Sequence, residues 1–402
     1  MTKVLILTAD AGFGHRSASK AIGGYLQNQP GFEIKIQNLL DDSSTPGFLR
    51  QSQFNYDKIV RETPKFYEFT YEQSDGVVPA TIAQAGLSAM LYNAFSKAID
   101  DYHPDVIINT YPLYHGPAQT WYLLNEKPSS SHIEKNHKVS ALSIKEKTLK
   151  KHLPFISVVT DLVSVHSFWY STLPDAYCVA SESIKKEAME HGVLEDRIYI
   201  TGIPVNSIIS QNIKSKEELR REFGLDPNIT TVLAIGSVRV PNLMDDLHIL
   251  NHSGFNIQIV MAAGGNETLY QNMLSEKWHI PVKIYNFCNT IPNLMLASDF
   301  IITKAGGLVT SESMAAGLPM LFVEVLPGQE TGNAKLVEDA KAGKVITDPL
   351  NLLENVCHLM ENNGCLLHQY QKNTSIIGKP HATEDIFKII QEKLEKADEN
   401  GI

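Results

Sequence analysis

Short apolar runs rich in β-branched residues recur along this chain, and most are followed by a stretch with helical spacing. Val4 to Thr8 is the first such run, with a helical pattern from about Arg16 to Asn28 behind it. Phe32 to Leu39, the segment entered at His103-Pro104-Asp105-Val106, Pro154 to Thr160, Ala176 to Ser181 and Arg197 to Thr201 continue the series. Helices are predicted around Ile82 to Asp100 and over Ser183 to Glu190. A second series opens with a charged helix over Lys214 to Phe223. Its strands are predicted at Thr230 to Ile235, Ile257 to Ala262, Val282 to Phe287, Phe300 to Ile302, Met320 to Val325 and Gly343 to Val345. Short helices are expected at Ile291 to Ala297 and from Asn333 to about Ala342, with Leu352 to Glu361 and an amphipathic Ala382 to Lys396 at the end. Alternation of this kind predicts an α/β chain with two doubly wound, parallel-sheet domains.

Composition agrees with that picture. At 402 residues, 43% of them apolar and 20% charged, the chain is long enough for two cores. The formal net charge of −10 argues against a nucleic-acid partner. No apolar run reaches the roughly 18–20 residues of a membrane helix, and the first run meets Asp10 too soon to be a signal peptide. Cys178, Cys288, Cys357 and Cys365 show no Cys-x-x-Cys spacing, so neither a zinc site nor a disulfide framework is indicated, and a cytoplasmic location is expected. Two stretches stand apart. Phe48 to Gly76 is rich in aromatics (Phe54, Tyr56, Phe66, Tyr67, Phe69, Tyr71) and fits either a packed helix or the wall of a cleft. Asn125 to His152 reads as an inserted loop, solvated or touching anionic headgroups through its lysines.

The candidate chemistry gathers at predicted strand ends. Phe300 to Ile302 runs into Lys304-Ala305-Gly306-Gly307, where a helical pattern opens. A strand, a glycine turn and a helix N-terminus present free backbone N–H groups and a positive dipole end, which suit a phosphate. Glu312, about a turn into the helix, is placed to accept ribose hydroxyls. Gln329, Glu330 and Asn333, in the loop after the next strand, suit the hydroxyls of a sugar. In order these are phosphate, ribose and hexose subsites. Near the N-terminus, Gly12-Phe13-Gly14-His15 follows the first strand, and Asp161 ends the strand PFISVVT. A histidine at a helix start is by itself a capping or surface residue, and Asp161 could equally cap a turn.

The run of Lys304, Gly306, Gly307, Glu312, Gly317, Pro319, Pro327, Gly328, Gln329, Glu330 and Asn333 resembles the donor-binding region of a glycosyltransferase family. That family includes the monogalactosyldiacylglycerol synthases, the processive diacylglycerol glucosyltransferases and the GlcNAc transferase of peptidoglycan lipid synthesis. Gly12-x-Gly14-His15, the segment His103 to Pro112, PFISVVTDL and Thr201-Gly202-Ile203-Pro204-Val205 are similar to it as well. The resemblance implies a GT-B fold, with an acceptor domain over residues 1–205, a UDP-sugar domain over 206–380, and a terminal helix (381–402) crossing back. It implies His15 as the base that deprotonates the acceptor hydroxyl, an imidazole titrating near ~6.5 being suited to that task, and Asp161 as a group orienting it or meeting the acceptor. Gly14 with Gly12, Gly236, Ser237, Gly264, Asn266 and Phe287 are implied in substrate binding, Phe287 near the uracil. The sequence departs from the family after Gly236, where Ser237-Val238-Arg239 replaces a glycine-rich loop.

The reaction implied by the resemblance is inverting transfer of galactose or glucose from a UDP-sugar to diacylglycerol by a peripherally membrane-associated enzyme. No cofactor is implied, and without a D-x-D motif at the donor site, no metal. Two alternatives remain open. One is an isomerase like the UDP-GlcNAc 2-epimerases, which need no acceptor; the other is an inactive UDP-sugar binder.

Overall fold

The computed structural model describes residues 1–10, 13–51, 77–125, 152–163, 165–328 and 330–399. Gly12, Gln329, the aromatics between Phe54 and Tyr71, and nearly all of the lysine-rich segment lie outside the described residues.

Two six-stranded sheets, parallel throughout, form the frame. The first contains β1 (Thr2–Thr8), β2 (Phe32–Asn38), β3 (Val106–Asn109), β4 (Phe155–Val158), β5 (Ala176–Val179) and β6 (Ile198–Ile200), in the order β2-β1-β3-β4-β5-β6. The second contains β7 (Thr230–Ile235), β8 (Ile257–Ala262), β9 (Val282–Tyr285), β10 (Phe300–Lys304), β11 (Met320–Glu324) and β12 (Gly343–Val345), in the order β12-β11-β10-β7-β8-β9. The strand order therefore reverses between β1 and β3 in one sheet and between β10 and β7 in the other. Such switch points leave an open crevice at the carboxyl ends of the strands, where ligands of doubly wound sheets bind.

The strands read as near-continuous apolar runs because helices cover both faces. In β1, Val4 and Ile6 face α1 (Phe13–Gln27), while Leu5 and Leu7 pack with Phe95 of α2 (Val77–Tyr102) and Trp121 of α3 (His115–Asn125). In the second domain α4 (Leu243–Asn251), α5 (Glu267–Ser275), α6 (Gly307–Ala315) and α7 (Thr331–Asp339) connect successive strands. One apolar cluster is continuous between the domains, from Trp169, Tyr177 and Ile203 to Leu294, Met314 and Phe322.

The helix expected over Leu352 to Glu361 breaks where expected, helical backbone geometry being lost at Glu361. In α8 (Pro349–Ile377), Asn362, Asn363 and Gly364 take up a left-handed turn and a second helical arm continues to Ile377. The sequence offers Asn-Asn-Gly, which tolerates positive φ, and that local signal marks the break between the two helical arms. The chain then crosses back. In α9 (Ala382–Glu399), Ile386, Ile389 and Ile390 join the core beneath β1, and Phe387 meets Tyr25 and Phe32 edge-on. The outgoing and returning connections touch: Thr383 Oγ1 donates to Val205 O at 2.6 Å. Among the described residues no helix is long and apolar enough to cross a membrane.

Gly378 lets the returning chain lie against the end of α6, since a Cβ there would stand 2.1 Å from Met314 O. We expect Gly378→Ala to force the two backbones apart and destabilise the protein by roughly 1–3 kcal/mol, the usual range for overpacking. Urea unfolding would measure it.

Candidate active site

His15 sits in the first turn of α1, directly beyond β1, and its half-buried ring is held from the neighbouring strands. Nδ1 lies 2.9 Å from Thr110 O, after β3, and 2.7 Å from Thr160 Oγ1, after β4. A carbonyl only accepts, so Nδ1 carries the proton and shares it between these two oxygens. Nε2 is then the basic nitrogen, and it has no hydrogen-bond partner among the described residues. Thr110 is itself fixed, its hydroxyl donating to Leu7 O at 3.0 Å. Burial lowers the pKa of His15 to about 4, partly opposed by the Thr110 carbonyl. The expectation of titration near 6.5 is thus corrected: the ring is neutral across the physiological range because its surroundings penalise the cation.

Asp161 does not touch His15's Nδ1. Its carboxylate accepts the Trp169 indole N–H at 2.7 Å, and that buried indole lies 6.1 Å from the His15 ring. Beneath Trp169 lies His115, buried, with Nδ1 donating to Pro112 O (3.0 Å) and Phe168 O (3.3 Å), and Nε2 accepting from Ser157 Oγ at 2.9 Å. Burial lowers its pKa to about 4 as well. Thr110, Thr160, Trp169 and His115 thus build the site without having been singled out in the sequence. The threonines had one available signal, their position at the carboxyl ends of strands. His115 had none.

Across the crevice, α6 begins at Gly307 and, among the described residues, no side chain caps its N-terminus. Its first N–H groups are left without side-chain acceptors, an arrangement that attracts anions. Lys304 brings its ammonium to the same place. A Cβ on Gly306 would stand 2.7 Å from Lys304 Nζ, and one on Gly307 would lie 3.7 Å from Thr160 O. The glycine turn therefore meets the threonine that holds His15; a Cβ on Gly307 would make an ordinary contact there, whereas one on Gly306 would displace the Lys304 ammonium.

Glu330 and Asn333, expected at sugar hydroxyls, face inward. Glu330 is buried, with one oxygen paired to Lys304 Nζ and the other accepting from Leu326 N at 3.1 Å. Asn333 Nδ2 donates to Ala305 O at 3.0 Å and braces the glycine turn. Glu312, on α6, is half-buried and its carboxyl has no hydrogen-bond partner among the described residues; desolvation raises its pKa to about 7. A carboxyl in that state gains from any ligand that donates to it.

The remaining candidates lie at the carboxyl ends of β7, β8 and β9. Gly236 follows β7 and has no room for a side chain, because a Cβ would meet Leu269 Cδ2 at 2.3 Å. Gly264, at φ +63°, abuts it, a Cβ there falling 2.3 Å from Gly236 O. Ser237 Oγ accepts from Arg239 N at 3.1 Å, forming a tight turn, and Asn266 caps α5 through Leu269 N at 3.2 Å. Phe287 is 69% exposed beyond β9. Gly14 shares the first turn of α1 with His15.

A family model described as monogalactosyldiacylglycerol (MGDG) synthase matches residues 15–134 and 130–205, and the glycosyltransferase family 28 C-terminal domain matches residues 240–386. Monogalactosyldiacylglycerol synthase 1, chloroplastic, from Arabidopsis thaliana is 29% identical over 408 residues, covering 98% of this chain and 70% of that protein. The probable chloroplastic synthase of Glycine max is 28% identical over 405 residues, covering 97% and 70%. Among solved structures, Acinetobacter baumannii MurG superposes with a TM-score of 0.59 at 16% identity, covering 98% of this chain and all (100%) of that one. Neisseria meningitidis UDP-GlcNAc 2-epimerase bound to UDP-GlcNAc gives 0.58 at 14% identity, covering 98% and 100%. At these identities the structural likeness speaks for the fold, which is a two-domain GT-B arrangement.

The Lys304–Glu330 pair is the most exposed to test. Lys304→Met strands a buried carboxylate and is expected to cost roughly 3–5 kcal/mol, whereas the double variant Lys304→Met/Glu330→Gln recovers a large part of that loss. A double-mutant cycle in urea, showing equal losses for single and double variants, would contradict a buried and coupled pair.

Proposed function

We propose, for a chain that belongs to the monogalactosyldiacylglycerol synthase family of glycosyltransferases, that the cleft moves galactose or glucose from a UDP-sugar to diacylglycerol with inversion. The observation that carries this reading is the meeting of two half-sites. A neutral histidine with one free nitrogen stands on one side, and an uncapped helix N-terminus with a lysine stands on the other, joined where Gly307 approaches Thr160.

In this reaction the acceptor oxygen attacks C1 of the hexose and the bond from C1 to the phosphate oxygen breaks. UDP leaves with the electron pair, and the hydroxyl proton passes to Nε2 of His15. A base as weak as His15 takes that proton late, once bond formation has made the acceptor oxygen acidic. The first amides of α6 and the Lys304 ammonium offset the charge growing on the diphosphate. Glu312 accepts the ribose hydroxyls. No metal is required in this scheme. Diacylglycerol lies in a bilayer, so the enzyme must work at its surface. Leu123 and Leu124, 77% and 65% exposed where α3 leads into the lysine-rich segment, suit that contact.

The family match favours transfer over epimerisation. The inactive-binder reading is motivated by the glycines missing after Gly236; against it, the α6 terminus with Lys304 offers an anion site.

Purified protein given diacylglycerol vesicles and UDP-galactose or UDP-glucose should form a hexosyl-lipid identifiable by mass spectrometry. His15→Ala should lower the rate about 10²–10⁴-fold with UDP binding intact. Because the base is competent whenever it is unprotonated, the acid limb of kcat/KM should fall well below the ordinary ~6.5 of histidine, toward about 4. UDP binding without product from either donor would sink the proposal. A second expectation concerns Glu312. Hydroxyl donors favour its ionised form, so UDP should bind more tightly as pH rises through about 7, releasing a proton at or below that pH. Calorimetry in buffers of different ionisation enthalpy reads the proton directly, and Glu312→Gln should abolish it.

A further inference from the structure

At the opposite end of the second sheet, three imidazoles and a carboxylate converge that the proposed reaction does not use. His248 lies in the last turn of α4 and His252 directly follows its end, their ring centroids 4.7 Å apart. Glu276, at the end of α5, brings Oε1 to 3.5 Å from His248 Nδ1. One ligand atom each from His248, His252 and Glu276 lie within 4.8 Å of one another. His279 follows in the loop leading to β9, its ring 5.0 Å from that of His252.

The backbone behind this cluster is fixed. Asn251, buried between His248 and His252 in sequence, accepts from His279 N at 2.7 Å and donates to Lys277 O at 2.8 Å. Trp278 Nε1 donates to Met273 O at 2.9 Å and holds the same loop from α5. The loop carrying Glu276 and His279 is thus clamped to the end of α4, while the imidazoles of His252 and His279 have no hydrogen-bond partner among the described residues. Neutral imidazoles with one carboxylate suit a borderline divalent ion such as Zn²⁺, and poorly suit Mg²⁺ or Ca²⁺, which prefer oxygen ligands. Bond lengths of about 2.0–2.2 Å need the ligand atoms drawn slightly closer. Exposed rotamers on a fixed backbone can supply that movement.

We propose that His248, His252 and Glu276, with His279 as fourth ligand, form a zinc-type site that clips α4 to the connection between α5 and β9. The site is structural. It lies where strands β8 and β9 begin, whereas the cleft lies where strands end, and a bound ion would hold that end of the sheet together. Binding to the folded state alone raises stability by mass action.

The test compares chelator-treated wild type with His248→Ala/His252→Ala, neither residue being part of the cleft. Wild type should bind one equivalent of Zn²⁺ in equilibrium dialysis, and its thermal transition should rise with added ZnCl₂ but not MgCl₂. The double variant should bind at least about a hundredfold more weakly, since loss of even an outer-shell partner costs roughly 10–100-fold, and should show no thermal shift. Circular dichroism would establish that it is folded. His279→Ala, a milder change, should weaken binding without abolishing it. Co²⁺ should give the visible bands of a nitrogen and oxygen site with no thiolate charge transfer, separating it from the exposed Cys365 and half-buried Cys288 and Cys357. Equal zinc binding by wild type and double variant, a thiolate band, or no binding by wild type would each overturn the assignment.

Discussion

The site depends on one close approach of backbone to backbone. Gly307, the first residue of α6, comes so near Thr160 that a methyl group there would touch its carbonyl oxygen at 3.7 Å. Thr160 in turn holds His15 through its hydroxyl. The distance between the base and the positive end of the helix is therefore set by two strand-end turns, each anchored in its own sheet. The glycine turn emerges where the second sheet reverses strand order, β10 beside β7, and Thr160 follows β4, one strand from the β1/β3 reversal of the first sheet. The cleft is a consequence of topology, and the glycines at 306 and 307 keep it free of side chains.

Charge in the cleft is arranged so that little of it stands alone. His15 is kept neutral by burial, Glu312 is drawn toward its neutral form by the same cause, and Lys304 is paired with Glu330. Shifts in opposite directions at neighbouring positions are what a site with acid–base or binding work to do displays. On the proposed reaction each would be relieved by a different part of a nucleotide sugar and its acceptor: hydroxyl donors for Glu312, phosphate for Lys304, a developing oxonium for His15. The structure thus holds desolvation cost in the resting state that ligands remove.

Much of this frame was legible from residues alone, for a physical reason. Strands covered on both faces must be apolar along their whole length, so β1, β7, β8, β10 and β11 stand out, as does the glycine turn after β10. Side-chain direction was less legible. Glu330 and Asn333 have polar groups suited to a sugar, yet they brace Lys304 and the Ala305 carbonyl. Nothing in their spacing separates a group facing a ligand from one facing the loop beneath it. His115 and the Thr110–Thr160 pair belong to contacts between residues far apart in sequence, which no local pattern encodes. The break at Glu361 to Gly364 was legible for a local reason: Asn-Asn-Gly tolerates positive φ, and a second helical arm, packing Leu367 against the second core, follows it.

The identity of the groups behind His15 matters as much as their distance. A carboxylate on Nδ1 would favour the imidazolium strongly and hold the pKa near or above its ordinary value. Here Nδ1 meets a carbonyl and a hydroxyl, both neutral, and the nearby Asp161 is turned to the Trp169 indole. The neutral pair fixes the tautomer and aims Nε2 without supplying charge to stabilise a proton on it. A base built this way cannot ionise its acceptor in advance. In the proposed reaction it would only collect a proton from an oxygen already bonding to carbon, which would tie deprotonation to the same step in which the leaving group departs toward Lys304 and the α6 amides. Orientation by neutral groups is thus a means of coupling the two half-sites, and it requires the short approach between Thr160 and Gly307 that brings them together.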